Sequence, residues 1–236
     1  FVIDSNLVVT KFELPEEMVR EGETSWLTIY ADRKGFVWIA NTGEALWRLN
    51  PLSGHYQSWS MANLFQEESG ELSVYRMIED PVGNIWMGTD NGLVFFNQEK
   101  ESFEVFDYGS TKKIPVGAVF GLRVDLFGDL WFGSRTGGLM RYSNKANFDS
   151  FRSGSGSPET FGLGWANKII ELSEGKAWIS TTLGDRNTLN LVNLRTGAIE
   201  KKYDNDILGG RLVAEYPKGE LLMEYENKFY QFHPDK

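Results

Sequence analysis

A Gly-x-x-Trp cluster returns four times along this chain at a nearly constant spacing. The cluster tryptophans are Trp38, Trp86, Trp131 and Trp178, which follow one another at intervals of 48, 45 and 47 residues. A fifth, fainter unit carries Leu222 in the place of tryptophan, three residues after Gly219. A period of this length is typical of repeat proteins, in which each unit is one supersecondary structure.

Each unit reads as four β-strands. In the second unit the strands are predicted at Tyr75–Asp80, Asn84–Thr89, Leu93–Asn97 and Phe103–Tyr108, and similar runs of β-branched, aromatic and alternating residues recur in the other units. The Asp80-x-x-Gly83 step predicts a tight turn in which aspartate binds backbone amides and glycine takes positive φ. Four antiparallel strands in about 45 residues are typical of a β-propeller blade.

We therefore predict an all-β fold, a β-propeller of four-stranded antiparallel blades. About five repeat units are present, and we expect them to be part of a larger propeller of about seven blades. Residues 1–236 are predicted to be one propeller domain or fragment, because no Pro-rich, Ser-rich or charged linker interrupts the repeat. The approximate units are 1–14 (partial), 15–61, 62–108, 109–152, 153–203 and 204–236 (partial).

The two ends of the chain leave two arrangements open. Phe1–Asp4 and Leu7–Leu14 resemble the third and fourth strands of a preceding unit, whereas Arg211–His233 supplies three strands of a last one. If the ring closes with five blades, Leu7–Leu14 completes the last blade. We favour an open fragment of a larger propeller, because Phe1–Asp4 would otherwise duplicate Phe229–His233.

The four periodic tryptophans are predicted to lie buried between neighbouring blades, where a large ring fills the wedge between twisted sheets. A stripe of exposed rings for sugar stacking is the competing interpretation. The remaining tryptophans fall outside the period and are freer to contact a ligand; they are Trp26, Trp47, Trp59 and Trp165.

Charge and composition narrow the classes of partner and chemistry. The formal net charge of −9 argues against nucleic acid or an anionic membrane surface, since both require a concentrated basic face. The chain has no cysteine, which excludes disulfides, thiolate metal sites and cysteine nucleophiles. Its two histidines, His55 and His233, fall in different units, so we predict neither a metal centre nor a cofactor.

Two of the units resemble the two-component regulator propeller repeat. That family's pattern is approximately Asp-x-x-Gly-x-Ile-Trp-Ile-Gly-Thr followed by Gly-Leu, and residues 80–93 and 125–139 follow it closely. The first unit keeps Asp32, Gly35 and Trp38, and the fourth keeps Gly175 and Trp178 but has an enlarged turn. The fifth unit lacks the tryptophan, so the resemblance covers nearly the whole chain with decreasing fidelity.

The resemblance implies a segment of a bacterial extracytoplasmic sensor, placed in the periplasm or outside the cell. In that family such propellers stand ahead of a membrane span and a histidine kinase or diguanylate cyclase, and many respond to glycans or other small molecules. The expected partners are a small-molecule or glycan ligand and a neighbouring propeller or signalling domain of the same protein. A homodimer of the full-length protein is a further expectation.

The residues expected to bind a ligand lie on one rim. Loops from each fourth strand to the next first strand, and turns from each second to third strand, emerge on the same side of a propeller. The candidates are Arg135, Arg186, Asp185, Trp165, Asp90, Asn91, Asn41, Trp26, Arg76 and Lys168. Turn geometry is the alternative role for Asp90 and Asn91, and Arg135 could instead cover apolar surface.

Catalysis has weaker support from the residues. Glu79, Glu171 and Glu215 recur four residues before their glycines and could be taken for the paired carboxylates of a glycosidase. Alternating glutamate on a half-exposed strand is the simpler interpretation. The leading hypothesis is a non-catalytic, ligand-binding sensor propeller, followed by a propeller enzyme of lyase or glycosidase type and by a protein-interaction scaffold.

Overall fold

The chain folds into a succession of antiparallel β-sheets. The computed structural model describes residues 2–3, 9–10, 27–40, 45–62, 64, 72–107, 117–135, 138–143, 148–151, 165–172, 175–183, 186–204, 211–215, 219–225 and 228–234. No helix occurs in these ranges, and therefore none that is long and apolar enough to cross a membrane.

Five of the sheets are the repeat units, which we number as blades 1 to 5. The strands are β1 (Val2–Ile3) and β2 (Val9–Thr10); β3 (Thr28–Ala31), β4 (Val37–Ala40), β5 (Ala45–Leu49) and β6 (Tyr56–Ser60) in blade 1; β7 (Val74–Glu79), β8 (Ile85–Thr89), β9 (Gly92–Asn97) and β10 (Ser102–Phe106) in blade 2; β11 (Val119–Val124), β12 (Leu130–Ser134), β13 (Gly138–Tyr142) and β14 (Phe148–Phe151) in blade 3; β15 (Trp165–Leu172), β16 (Lys176–Leu183), β17 (Arg186–Asn193) and β18 (Ile199–Asp204) in blade 4; and β19 (Arg211–Glu215), β20 (Leu221–Tyr225) and β21 (Lys228–Phe232) in blade 5.

The blade architecture predicted from the sequence is confirmed. In each sheet the strands pair in chain order and antiparallel, as a meander. The first strands of consecutive blades contact one another, from β3 to β7, β11, β15 and β19 in turn. This is the arrangement of a propeller, in which first strands lie innermost and later strands lie progressively further out.

The first two strands form a sheet of their own. β2 pairs with β1, opposing Val9 to Ile3 and Thr10 to Val2. Blade 5 has the order β19-β20-β21, with no fourth strand among the described residues. Within the described residues, β2 therefore pairs with β1 and not with β21.

The turns joining first and second strands follow the aspartate-glycine prediction. Asp125 Oδ1 accepts the N–H groups of Phe127 and Asp129, both at 2.9 Å, and Gly128 has φ of 83°. The other oxygen, Oδ2, accepts the indole N–H of Trp131 at 2.8 Å. Asp32 binds Trp38 in the same way, so one carboxylate ties the turn to the buried ring.

The periodic tryptophans are buried between blades, as predicted. Trp131 in blade 3 lies in one cluster with Ala166, Ile179 and Val192 of blade 4. Trp38 similarly packs on blade 2, Trp86 on blade 3 and Trp178 on blade 5. The interpretation of these rings as an exposed sugar-stacking stripe is wrong.

Two tryptophans outside the period also belong to the core. Trp47 is buried beside Ile39 and Leu49. Trp59 stacks on Trp38 with ring centroids 5.7 Å apart. The expectation that Trp47 is available to a ligand is wrong, because its ring on β5 is buried, whereas Trp59 on β6 is half-buried against the core.

The enlarged turn of the fourth unit is a longer hairpin. β16 and β17 pair over their full length, from Lys176 opposite Asn193 to Leu183 opposite Arg186. The hydroxyls of Thr181 and Thr188 hydrogen-bond across this ladder at 2.5 Å. The enlarged turn of the fourth unit thus includes longer strands, with β16 continuing to Leu183 and β17 beginning at Arg186.

Candidate functional site

The inner strands carry an irregularity at the same place in three blades. The β7–β8 ladder skips Tyr75, the β11–β12 ladder skips Phe120, and the β15–β16 ladder skips Asn167. Each skipped residue is a β-bulge, a feature that redirects a side chain and often lies beside a functional site. The bulges lie where first strands begin, on the side that also carries the turns from second to third strands. We call this side the rim.

Glycines of the preceding blade make room for these bulges. A Cβ on Gly88 would lie 2.6 Å from the carbonyl oxygen of Val119, next to the bulge at Phe120. A Cβ on Gly133 would overlap the backbone of Ala166, next to Asn167. The glycine two residues after the tryptophan therefore allows close approach of the next blade.

The bulges bring two aromatic rings together on the rim. Tyr75 and Phe120 come from neighbouring blades, and their rings stack with centroids 4.8 Å apart and planes inclined by 28°. Tyr75 is 41% exposed and Phe120 is half-buried. An exposed aromatic pair of this kind offers a flat apolar surface with a phenol group at its edge.

Two charged residues from successive turns act on this pair. Asp90 follows β8 and Arg135 follows β12. The pKa of Tyr75 is raised by burial and by the charge of Asp90, and the charge of Arg135 opposes that rise. The phenol, the carboxylate and the guanidinium therefore share one electrostatic environment.

Asp90 itself is held in place by the backbone. Its Oδ1 accepts the N–H of Ser73 at 3.3 Å, and its own N–H donates to Ser73 O at 3.1 Å. Burial raises the pKa of Asp90 despite these bonds. A carboxylate with this fixed position and partial burial is prepared to accept hydrogen bonds from a ligand.

The raised pKa of Asp90 has a consequence for stability. The folded state binds the proton of Asp90 more tightly than the unfolded state does. The stabilisation from this protonation is therefore complete below the pKa of the unfolded state and is lost as pH rises through the pKa of the folded state. An Asp90→Asn variant keeps the Oδ1 acceptor without the charge. We expect urea denaturation to show that the variant gains stability relative to the natural chain as pH is raised from about 3 to 7. A constant difference across that range would contradict the assignment.

The structure unites some of the predicted site residues. The charges of Asp90 and Arg135 both act on Tyr75, and the exposed Arg76 follows Tyr75 directly on β7. Within the described ranges the guanidinium of Arg76 has no hydrogen-bond or ion-pair partner. Asn91 is half-buried and donates its N–H to Thr89 Oγ1 at 3.2 Å, so it serves the turn.

The other predicted residues are less closely defined. Half-buried Lys168 opposes Ser180 in blade 4. The backbones of Trp165 and Arg186 lie at the rim end of the same blade, opposite Thr182 and Leu183. Asn41, Trp26 and Asp185 lie outside the described residues.

Sequence reasoning missed the aromatic pair itself. Tyr75 and Phe120 each stand eight residues before a turn glycine, Gly83 and Gly128, so the sequence shows that they occupy the same position in the repeat. The β-bulge at these two residues could not be predicted from the sequence, because it depends on the register with the partner strand.

Two glutamates considered for catalysis instead connect blades. Glu171 Oε1 accepts the N–H of Leu126 at 2.8 Å, and its Oε2 accepts both Nε and Nη2 of Arg123, at 3.0 and 2.7 Å. Glu79 makes the same kind of contact, accepting the N–H and Nε of Arg33 at 2.9 and 3.0 Å. Glu215 differs and accepts the N–H of Gly219 within its own turn.

Removing Glu171 should loosen the contact between blades 3 and 4. We expect Glu171→Ala to lower the free energy of unfolding by about 1–3 kcal/mol, because charge-assisted hydrogen bonds from Arg123 and Leu126 are lost. The matched control is Glu99→Ala on an exposed turn, expected within about 0.5 kcal/mol of the natural chain. Equal urea midpoints for the two variants would refute the bridging role.

A family model matches one of the repeats. Residues 69–91 match the model of the two component regulator propeller. This span covers the first two strands of blade 2 and their turn, so the predicted resemblance is confirmed at this repeat. No curated protein has a sequence that matches the chain.

Several solved structures share the fold. PorZ, a bacterial surface component of the type-IX secretion system of Porphyromonas gingivalis, is 18% identical with a TM-score of 0.63, over 88% of this chain and 32% of PorZ. The extracellular domain of a one component system from B. thetaiotaomicron is 17% identical with a TM-score of 0.60, over 91% of this chain and 30% of that one. Regucalcin, a calcium-binding protein of Agrobacterium tumefaciens, is 13% identical with a TM-score of 0.52, over 87% and 72% of the two chains. The chain thus spans about a third of the first two structures.

Proposed function

We propose, from the premise that this chain carries a two-component regulator propeller repeat, that it is a non-catalytic segment of an extracytoplasmic bacterial sensor. It binds a small molecule or glycan on its rim and transmits occupancy to a neighbouring propeller or signalling domain of the same protein. The observation that carries the proposal is the stacking of the exposed Tyr75 on the half-buried Phe120, with the charges of Asp90 and Arg135 acting on Tyr75.

The chemistry of the rim suits a ring that carries polar substituents. An exposed stacked pair contributes apolar contact to a sugar or other ring laid against it. Arg135 and Arg76 supply hydrogen-bond donors of fixed charge, and Asp90 supplies acceptors. Donors and acceptors beside an aromatic surface distinguish this rim from a plain apolar protein contact.

The inter-blade glutamates support the non-catalytic part of the proposal. Glycoside cleavage requires two carboxylates that face one substrate. Glu79 and Glu171 are each occupied by hydrogen bonds to the preceding blade, in different blades. Turnover of a glycan that disappears in Glu79→Gln would favour the enzyme alternative.

Ligand binding is tested with a screen and matched variants. A thermal-shift screen of glycans and metabolites should identify a stabilising ligand, and calorimetry should then measure its affinity. We expect Tyr75→Ala and Arg135→Ala each to weaken binding at least about 10-fold, equivalent to about 1.4 kcal/mol. Glu99→Ala, on an exposed turn, is the control and should bind normally. Unchanged affinity in both rim variants would refute the site.

A further inference from the structure

The side opposite the rim carries the turns between first and second strands, and we call it the turn face. There, two blade boundaries are joined by the same pair of groups. The N–H of the residue after the turn aspartate, Arg33 or Leu126, donates to a glutamate of the next blade. The two glutamates stand in the same place in the repeat, four residues before the next turn glycine.

The boundary between blades 2 and 3 lacks both partners. The residue after Asp80 is Pro81, which has no N–H to donate. The residue four before Gly128 is Val124, which has no side-chain acceptor. Because the donor and the acceptor are both missing, the bridge is absent and neither group is left without its partner.

A cleft opens at this boundary on the turn face. Its volume is about 350 Å³, and Pro81 and Val82 from blade 2 face Val124 and Phe127 from blade 3 across it. Trp86 and Tyr142 also line the cleft, with ring centroids 5.4 Å apart. A space of this size and lining accommodates a single small ring.

The cleft holds a hydrogen-bond donor that differs from its counterparts. The indole N–H groups of Trp38 and Trp131 donate to Asp32 and Asp125. In blade 2 the corresponding Asp80 Oδ2 accepts from Asn84 Nδ2 at 3.1 Å, and no described residue accepts the N–H of Trp86. Trp86 is 6% exposed, and it lines the cleft together with Asp80.

The replacement of one arginine explains the changed surroundings of Trp86. Arg48 and Arg141 lie opposite Trp38 and Trp131 on the third strands, and their guanidinium carbons lie 5.6 and 5.5 Å from those rings. Phe95 occupies the corresponding place opposite Trp86, at 4.6 Å between ring centroids. The ring of Trp86 therefore has aromatic neighbours in place of a cation.

We propose that the cleft between blades 2 and 3 is a second ligand site, which takes an uncharged ring compound bearing one hydrogen-bond-accepting oxygen. The ring packs between Val82, Val124 and Tyr142, and the oxygen accepts the indole N–H of Trp86. The oxygens of Asp80 already accept three hydrogen bonds, from Val82 N, Asn84 N and Asn84 Nδ2. The unmet group is thus a donor, which selects a hydrogen-bond acceptor.

Two ring probes test the proposal on the whole chain. Benzamide carries a carbonyl acceptor, whereas ethylbenzene offers a similar ring without one. In proton–nitrogen correlation spectra we expect benzamide to shift the indole cross-peak of Trp86 saturably, with smaller changes at Trp38 and Trp131. Trp86→Phe assigns the peak and should weaken benzamide about five-fold, the worth of one net hydrogen bond, while ethylbenzene binds as before.

A cleft-filling variant and a cation complete the experiment. Val124→Phe should abolish binding of both probes. Arg135→Ala on the rim should leave probe binding intact, so that failure of the cleft proposal can be distinguished from failure of the rim proposal. No saturable shift at Trp86, equal loss of both probes in Trp86→Phe, or benzamide binding that survives Val124→Phe would overturn the site. Preference for tetramethylammonium over benzamide would overturn the assigned ligand class.

Discussion

Trp131→Ala is expected to lower the free energy of unfolding by about 3–5 kcal/mol, the range for deleting a large buried ring. Trp131 is fully buried and fills the boundary to blade 4, against Ala166 and Ile179. The loss includes its hydrogen bond to Asp125, whose pKa is already raised by burial. Urea denaturation followed by far-ultraviolet circular dichroism provides the measurement.

A conservative variant separates the ring from its hydrogen bond. Trp131→Phe keeps most of the packing but leaves Asp125 Oδ2 without the indole donor, which should cost about 1–3 kcal/mol. The alanine variant must therefore be the less stable of the two. If Trp131→Ala lost less than about 1 kcal/mol, the ring would not be a structural wedge between blades.

Gly133→Ala is expected to destabilise the chain by more than about 3 kcal/mol although it adds one methyl group. The new Cβ would lie 2.6 Å from the carbonyl carbon and 2.7 Å from the Cβ of Ala166. The backbone of Ala166 cannot move away without breaking the β15–β16 ladder, in which Ala166 opposes Thr181. Thermal and urea unfolding of purified protein, or loss of soluble expression, would report the effect.

Other glycines provide the controls for this clash. A Cβ on Gly35 meets nothing within 4 Å, and the cost there is the strain of φ at 83°, about 1–2 kcal/mol. Gly88→Ala should fall between these cases, because its new Cβ would lie 2.6 Å from Val119 O, whereas a Cβ on Gly133 would overlap the carbonyl oxygen of Ala166. A Gly133→Ala variant as stable as Gly35→Ala would show that blades 3 and 4 do not approach so closely.

The blade architecture was predictable because local signals repeat. Aspartate and glycine three residues apart specify the turn between first and second strands, and Asp32 and Asp125 form it as expected. Tryptophan at a fixed distance from that turn marks the core side of the second strand. Each unit repeats the same turn and tryptophan pattern, so a unit in which the pattern is weak can be assigned from its neighbours.

The rim was predicted as a location but not in its chemistry. Asp90 and Arg135 were identified because turn positions follow from the strand pattern. The stacking of Tyr75 on Phe120 involves residues 45 apart in different blades, and no local pattern reports such a contact. The prediction for Trp47 was wrong for the same reason, since a ring outside the period can still face buried neighbours.

The placement of each tryptophan cluster has a consequence for how the chain can be divided. Trp38, Trp86, Trp131 and Trp178 each fill a space whose other wall belongs to the following sheet. Truncation between any two units would therefore remove the blade that covers one of these indole rings and would expose an apolar surface on the shortened protein. Unfolding should accordingly spread from neighbour to neighbour, as in linear repeat arrays, and single units expressed alone should fail to fold.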